Sequence, residues 1–531
     1  MNQAEIKRRQ AEEVANILAV ITVFILGNRI AEGGITYISA AVSACTLAGI
    51  AVSGSLADVL GKLLRSRRNK GQYRNILELR RSALLFHGAL GLLGALLLIL
   101  FAGGIADGIF QIPYSTFIIM MLAPVVLLRT VTSVLQGYFQ GEAAELPRAV
   151  SGILRQFFLL GFGLLFGGML ESYGEKVSSL LKESRFTPMY GCMGIALAAG
   201  LAEILMILFL AILFKSSRRS ERKLKQDGMY AGDSAWDCVR ILCIGRWPQV
   251  LTELLLFLPL PLGMVLWGRR AAQAPETISQ YDVYGGKYLV ICGVLLFLLS
   301  IPVLPVLGRV FTHFRRDEGR LARTAFQSGV HACLVHGIFL SVYMAVMAAQ
   351  AAALLGGADS GLLKQMLQGG SAVIAFVPLA AFFLRFLQAM GKKYFLLGAA
   401  GMADVVFIIT FLLFSKREIL SLVYGGVAGT LVLCVIAGVL SFRLLRIGMD
   451  WLNVLAVPLG AGGISGLVCM LLNRLFAGLG ALPAMLLAFL ISGMLYWILL
   501  LVLRNIKEQE LETFPGGRLL AVLGQRMHLY S

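Results

Sequence analysis

The feature that most constrains this chain is a recurrence: windows of about 20 mostly apolar residues return along nearly its whole length. A spanning helix needs that many, because bilayer hydrocarbon is about 30 Å thick and each helical residue rises about 1.5 Å. Fourteen windows fall near 12–31, 36–57, 82–103, 116–138, 149–170, 190–214, 242–264, 288–309, 329–353, 370–390, 395–414, 421–441, 453–473 and 481–503. With 531 residues that are 58% hydrophobic and only 14% charged, the chain carries more apolar surface than a soluble core can hide. The expected fold class is therefore all-α, a polytopic membrane protein of about 14 transmembrane helices.

A net charge of +18 would suggest nucleic-acid binding in a soluble chain, but here its distribution decides. Basic residues cluster in alternate loops: Lys7, Arg8 and Arg9, the run from Lys62 to Arg81, the run from Lys215 to Lys225, Arg309 to Arg323, Lys392 and Lys393, Arg443 and Arg446, then Arg504 and Lys507. Intervening loops such as 171–185 are near neutral. Cytoplasmic loops hold the Lys and Arg excess, so both termini are expected to be cytoplasmic and the helix count even. The basic loop 65–81 is suited to lie against anionic membrane lipid, and no nucleic-acid partner is implied. Met1 to Arg9 leads into a span carrying Asn28 and Arg29 without a small-residue cleavage site, so the first helix is expected to stay in the mature protein.

Matching features recur at offsets of roughly 240 to 250 residues. Val59-Leu60-Gly61-Lys62 answers Val306-Leu307-Gly308-Arg309, each followed by a basic run and a glycine. Gly27-Asn28-Arg29 answers Gly268-Arg269-Arg270, Tyr37 answers Tyr284, and Phe139-Gln140-Gly141 answers Leu387-Gln388-Ala389. The expected organisation is two parallel six-helix lobes, 1–225 and 226–447, followed by an appended pair of helices and a cytoplasmic tail over 448–531. Parallel repeats of this kind place a path between the lobes.

The eight cysteines are scattered and mostly inside spans, which fits small buried apolar residues rather than disulfides or zinc. His331 and His336 are five apart, off a common helical face, and no metal site is expected. Gly163 and Gly167, with Gly161 and Gly168, read as helix-packing positions, since no strand leads into them as in a nucleotide loop. No cofactor is implied. The absence of a large polar loop or carboxylate-rich loop motif argues against an enzyme.

A charge at membrane depth costs on the order of 2.5–3.5 kcal/mol on insertion scales, so each is a functional candidate. The set is Arg29, Asp58, Arg129, Arg155, Glu203, Arg246, Glu253, Arg385 and Asp404. Arg29, Asp58, Arg385 and Asp404 lie near expected span ends and can snorkel, and Arg155 and Glu203 can pair as structural glue. Glu253 follows Arg246 at i+7 on one helical face, where it serves either as a proton or cation relay or, the favoured reading, as the partner that neutralises Arg246. Pro248, Pro259 and Pro261 interrupt that span. Gln136 and Gln140 place hydrogen-bonding groups at the end of span four, for a substrate or for interhelical bonding.

Lys62-Leu63-Leu64 through Lys70-Gly71-Gln72-Tyr73, and above all Leu135-Gln136-Gly137-Tyr138-Phe139-Gln140-Gly141 followed by Pro147-Arg148-Ala149-Val150-Ser151, carry a resemblance. They resemble segments of the polysaccharide-biosynthesis and stage V sporulation protein B branch of the multidrug/oligosaccharidyl-lipid/polysaccharide exporter superfamily. There a pattern LRGYFQG…PTAVSQ is common. Gln136 stands here in place of that pattern's Arg, and Arg148 in place of its Thr. The resemblance implies a flippase in a bacterial plasma membrane that moves a lipid-linked polyprenyl-pyrophosphate saccharide or peptidoglycan precursor outward by alternating access. A proton or sodium ion is its coupling ion, and envelope-synthesis enzymes are its protein partners. Arg29, Arg246 and Arg129 are then expected to line a cationic cavity, because guanidinium binds pyrophosphate oxygens in bidentate fashion and stays charged. Glu253, Gln136 and Gln140 complete the expected substrate-binding set; Asp58, Arg155, Glu203, Arg385 and Asp404 are coupling or structural charges. Two alternatives stay open: a multidrug exporter of the same superfamily, and a transport-inactive scaffold for envelope synthesis.

Overall fold

The computed structural model describes residues 3–142, 144, 146–221, 233–272 and 278–506. Arg222, Lys223, Lys225, Lys507 and the expected lobe boundary at 225/226 lie outside them. The described residues are almost wholly helical, as lipid demands: with no water to bond them, backbone N–H and C=O groups must be satisfied within each helix. Thirteen helical segments are long and apolar enough to span a membrane, and a bent pair, Ser360–Gly370 with Val373–Ala389, makes fourteen. Each falls on one of the fourteen windows read from the sequence.

By packing, the chain divides into two compact units, 14–286 and 1–13 with 287–531. In chain order the helices are α1 (Gln3–Gly27), α2 (Gly34–Ser53), α3 (Leu56–Asn69), α4 (Tyr73–Leu100), α5 (Thr116–Gly141), α6 (Leu146–Leu181), α7 (Phe186–Glu221), α8 (Ala235–Phe257), α9 (Pro259–Ala271) and α10 (Ile278–Val283). These are followed by α11 (Leu289–Arg315), α12 (Gly319–Val346), α13 (Ala348–Leu355), α14 (Ser360–Gly370), α15 (Val373–Ala389), α16 (Lys393–Leu413), α17 (Leu420–Leu445), α18 (Val457–Leu475) and α19 (Ala481–Val502). Span seven, α8 with α9, packs in the first unit.

Within the first unit, α6 and α7 share the most extensive interface, and small residues are the reason. A Cβ on Gly194 would meet the Phe166 carbonyl carbon at 2.5 Å, so the α7 backbone lies directly on α6. Of the four glycines expected to pack helices, Gly163 faces Leu26 of α1 and Gly167 faces Ile195 of α7, whereas Gly161 and Gly168 face open space. A Cβ-free position helps only on the stripe turned toward a neighbour.

Two spans in this unit are broken. Proline at 259 lacks an N–H and crowds the preceding turn, which ends α8 and starts α9. Span two breaks between α2 and α3 at Gly54 and Ser55, where Ser55 adopts φ 52°. The second unit has an aromatic core, with Phe326 of α12 against Phe382 and Phe386 of α15 and Phe442 of α17. Outward leucines such as Leu85, Leu93, Leu96 and Leu100 of α4 are exposed, as a lipid-facing stripe requires.

Candidate functional site

A helix that stops inside a membrane leaves its last carbonyls without partners, and α2 stops at Ser53 in mid-span. Arg246 of α8 resolves this: its Nη2 donates to the Val52 carbonyl at 2.9 Å and its Nε to the Gly54 carbonyl at 3.0 Å. A cation at the negative end of the helix dipole adds to these bonds. One residue on, Ser55 Oγ donates to a Glu253 carboxylate oxygen. Gly54 leaves the room this needs, since a Cβ there would meet the other Glu253 oxygen at 2.8 Å.

Glu253, read as the partner that neutralises Arg246, makes no contact ion pair with it among the described residues, although the two opposite charges still attract across the break. The carbonyls freed by the break are better placed acceptors for the guanidinium, and the Ser55 hydroxyl is the nearer donor for the carboxylate. The two charges hold the break from either side instead.

The other end of α2 is held by a residue the sequence reading missed. Asp282 of α10 accepts hydrogen bonds from the backbone N–H groups of Gly33 at 2.6 Å and Thr36 at 2.8 Å, and from Thr36 Oγ1 at 2.7 Å. It thus caps a helix N-terminus that has no cap of its own. The 247-residue offset that pairs Tyr37 with Tyr284 was the available signal, because Asp282 precedes the second tyrosine by two positions. An acid at its N-terminus and an arginine at its C-terminus make α2 a rod with matched charge at both ends.

A second cluster joins α5, α6 and α7. Glu203 is 1% exposed and lies 2.8 Å from Arg155 Nε and 3.2 Å from Arg129 Nε, with Thr132 Oγ1 at 3.3 Å. One carboxylate between two guanidiniums leaves a net positive charge, and the Arg129 side chain is 48% exposed. Arg129 thus retains access among the expected binding residues, as does Arg29.

The residues that depart from the resembled pattern form a third cluster. Arg148 donates to Asp58 Oδ1 at 2.7 Å and to the Gln140 side-chain oxygen, while Arg65 donates to the Gln140 carbonyl at 2.9 Å. Gln136 donates to Ser151 Oγ at 2.9 Å, and Ser151 Oγ to the Arg148 carbonyl at 2.8 Å. Tyr138 is buried, with the Arg80 guanidinium 5.3 Å over its ring. Both glutamines are engaged in interhelical bonding.

Arg29 sits exposed in the turn after α1, apart from these clusters. In the second unit, Arg385 of α15 pairs with the buried Glu13 of α1. Asp404, expected near a span end, instead stands alone midway along α16, too far from either end for its short side chain to snorkel: it is 6% exposed, and its Oδ2 has no hydrogen-bond partner among the described residues. His331 shares a hydrogen bond of 2.8 Å with Asn505, and His336 one of 2.8 Å with the Ala332 carbonyl. Six of the eight cysteines are buried, as expected of apolar packing residues.

Broken spans, charges at membrane depth and fourteen helices define a class, and the chain has the fold of transporters of the multidrug/oligosaccharidyl-lipid/polysaccharide superfamily. It is similar to stage V sporulation protein B of Bacillus subtilis (strain 168), at 21% identity over 96% of each chain. Its structure is similar to that of the lipid II flippase MurJ in an inward closed conformation, with a TM-score of 0.65 at 12% identity over 94% of this chain and 98% of that one. It is also similar to an inward-facing multidrug resistance MATE family transporter, with a TM-score of 0.62 at 12% identity over 84% of this chain and 98% of that one. No family model matches the sequence.

Proposed function

We propose that this protein is a flippase that carries an anionic lipid-linked saccharide or peptidoglycan precursor from the cytoplasmic to the outer leaflet of a bacterial plasma membrane. The observation that carries this reading is extent. The MATE-type likeness covers 84% of the chain, whereas the likenesses to MurJ and to stage V sporulation protein B cover 94% and 96%. This fuller extent supports the flippase side of the superfamily.

The charge of the clusters agrees. A cationic drug favours an acidic site, but the half-exposed group at membrane depth in the first unit is Arg129, whose cluster carries net positive charge. In this reading Arg129 contacts the pyrophosphate, the exposed Arg29, in the turn after α1, takes part at another stage of the passage, and Arg246, Glu253, Gln136 and Gln140 shape the elements of the first unit. Alternating access uses the α2/α3 break as a hinge, and Asp404 takes up the coupling proton or sodium ion. Both termini are cytoplasmic, the basic loops rest on anionic lipid, and the partners are enzymes that make or consume the lipid-linked substrate. The chain itself catalyses no covalent step.

The test is reconstitution in liposomes with a fluorescent undecaprenyl-pyrophosphate-linked saccharide, under an imposed potential or ion gradient. Wild-type protein is expected to move the lipid between leaflets and Arg129→Gln, compared at equal amounts of folded protein, to move it at least about tenfold more slowly, a loss larger than the lowered unfolding temperature that follows from removing one of the two cations at Glu203 accounts for. Transport of a cationic drug with no movement of the polyprenyl lipid would replace this reading with the multidrug one. Movement of neither by folded protein would leave the scaffold.

A further inference from the structure

In the second unit, α11, α12, the segment 449–454 that precedes α18 and the two residues 504–505 beyond α19 line an open cavity of about 410 Å³ that shares no residue with the charged clusters described above. The volume is within the range of small-molecule sites, roughly 300–1,000 Å³. Its location follows from how α19 ends. After Val502 the chain turns sharply at Arg504, which adopts φ 50°, and the Arg504 and Asn505 N–H groups bond back to the carbonyls of Leu501 and Leu500 at 3.0 Å each. That turn sends the Asn505 side chain inward, where it is buried, meets His331 Nε2 at 2.8 Å and donates to the Asn453 carbonyl. Three separate segments are thereby fastened into one polar floor.

The walls are cationic. Arg309 and Arg504 both line the cavity, and among the described residues neither has an ion-pair or hydrogen-bond partner for its guanidinium. This sets them apart from Arg148, Arg155 and Arg385, each of which has a carboxylate. One lining residue is acidic, the exposed Asp450, which accepts from Asn453 Nδ2 at 2.6 Å, so the two arginines outnumber the acid at the lining; His313, also at the lining, lies 2.6 Å from Glu318 through its Nδ1. Two solvent-exposed guanidiniums with no protein acceptor among the described residues, beside a floor of amide and imidazole groups, are free to donate to an oxyanion.

We infer that this cavity binds a phosphate-bearing headgroup, with Arg309 and Arg504 holding the phosphate and the His331–Asn505–Asn453 floor setting its depth. The volume exceeds what a lone phosphate fills, so a phosphodiester or diphosphate carrying a further polar group is the fitting class. Two sources supply it, a lipid headgroup in the adjacent leaflet or a soluble phosphate ester. The inference stands whatever substrate the protein carries.

Native mass spectrometry of the full-length protein released from detergent distinguishes the sources, with phosphatidylglycerol against phosphatidylcholine in one arm and inorganic pyrophosphate in the other. Wild-type protein is expected to retain one anion more tightly than the rest, and Arg309→Gln/Arg504→Gln to lose it by at least about tenfold. Arg443→Gln/Arg446→Gln, which removes two cations of the same region outside the cavity lining, is expected to keep it. Retention in the phosphatidylglycerol arm alone assigns a lipid, in the pyrophosphate arm alone a soluble ester, and in both assigns recognition of phosphate itself. Equal loss in the two double variants, or loss in neither, overturns the inference. Thr324→Glu, at the exposed lip, guards against misfolding of the double variant: it adds a repelling carboxylate and must also displace the anion.

Discussion

At the scale of single residues, the deciding fact is that most charges in the spans are consumed by other charges. Glu203 is the clearest case, since a carboxylate this buried is tolerable only because two guanidiniums face it. Glu203→Gln keeps the shape, removes the charge and leaves Arg155 and Arg129 repelling one another. The expected loss is about 3 kcal/mol of stability, toward the lower end for a broken buried pair because Arg129 is half in the open. A second change, Arg155→Gln, is expected to recover part of it. Thermal unfolding of the wild type and of these two variants in detergent checks this, and a Glu203→Gln protein as stable as wild type would mean the triad is incidental. Arg148 repeats the logic, because the guanidinium that the resembled pattern carries at 136 is absent there and one stands at 148, beside Asp58.

At the scale of elements, the spans were legible and their breaks only partly so. Hydropathy locates a span because burial in lipid is set by composition over about 20 residues, and α16, α17 and α19 fall within a few residues of their windows. The proline at 259 announced the α8/α9 break, since its missing N–H is a local fact. The break at Gly54 and Ser55 was marked only by the short Ser53-Gly54-Ser55 interruption near the end of the window 36–57, and what holds it, Arg246 and Glu253 some 190 residues later, was not legible locally. Asp282 was missed for the same reason, as its partners lie about 246 residues upstream. It follows that the break should loosen when its distant partner is lost. Arg246→Ala is expected to raise hydrogen–deuterium exchange in 48–58 while the centre of α6 stays protected; Arg246→Lys, which offers a point charge in place of a two-pronged donor, should fall between. Exchange that rises evenly over the whole chain would instead mean that Arg246 supports global stability and no local hinge.

At the scale of the whole molecule, the question is what drives movement, and Asp404 is where the proposed mechanism is most exposed to test. A carboxylate midway along a spanning helix, buried and without a hydrogen-bond partner for one oxygen among the described residues, costs stability that an apolar residue would not. Such a group is tolerable if it takes up a proton or a sodium ion during part of the cycle, and it then links the gradient of that ion to the position of α16. Asparagine at 404 keeps the size and stays neutral, so it holds the element in its ion-loaded character whatever the gradient. Asp404→Asn is therefore expected to fold at least as well as wild type, since a buried charge has been removed, and to move lipid at one low rate with or without an imposed gradient. Wild-type transport should rise with the gradient. Measuring both proteins in the same liposomes, over a series of proton and then sodium gradients, separates the two ions as well as testing the residue. If Asp404→Asn responded to both gradients as wild type does, the carboxylate would have no part in coupling, and the search would pass to Glu253, whose only described hydrogen-bond partner is the Ser55 hydroxyl at the hinge itself.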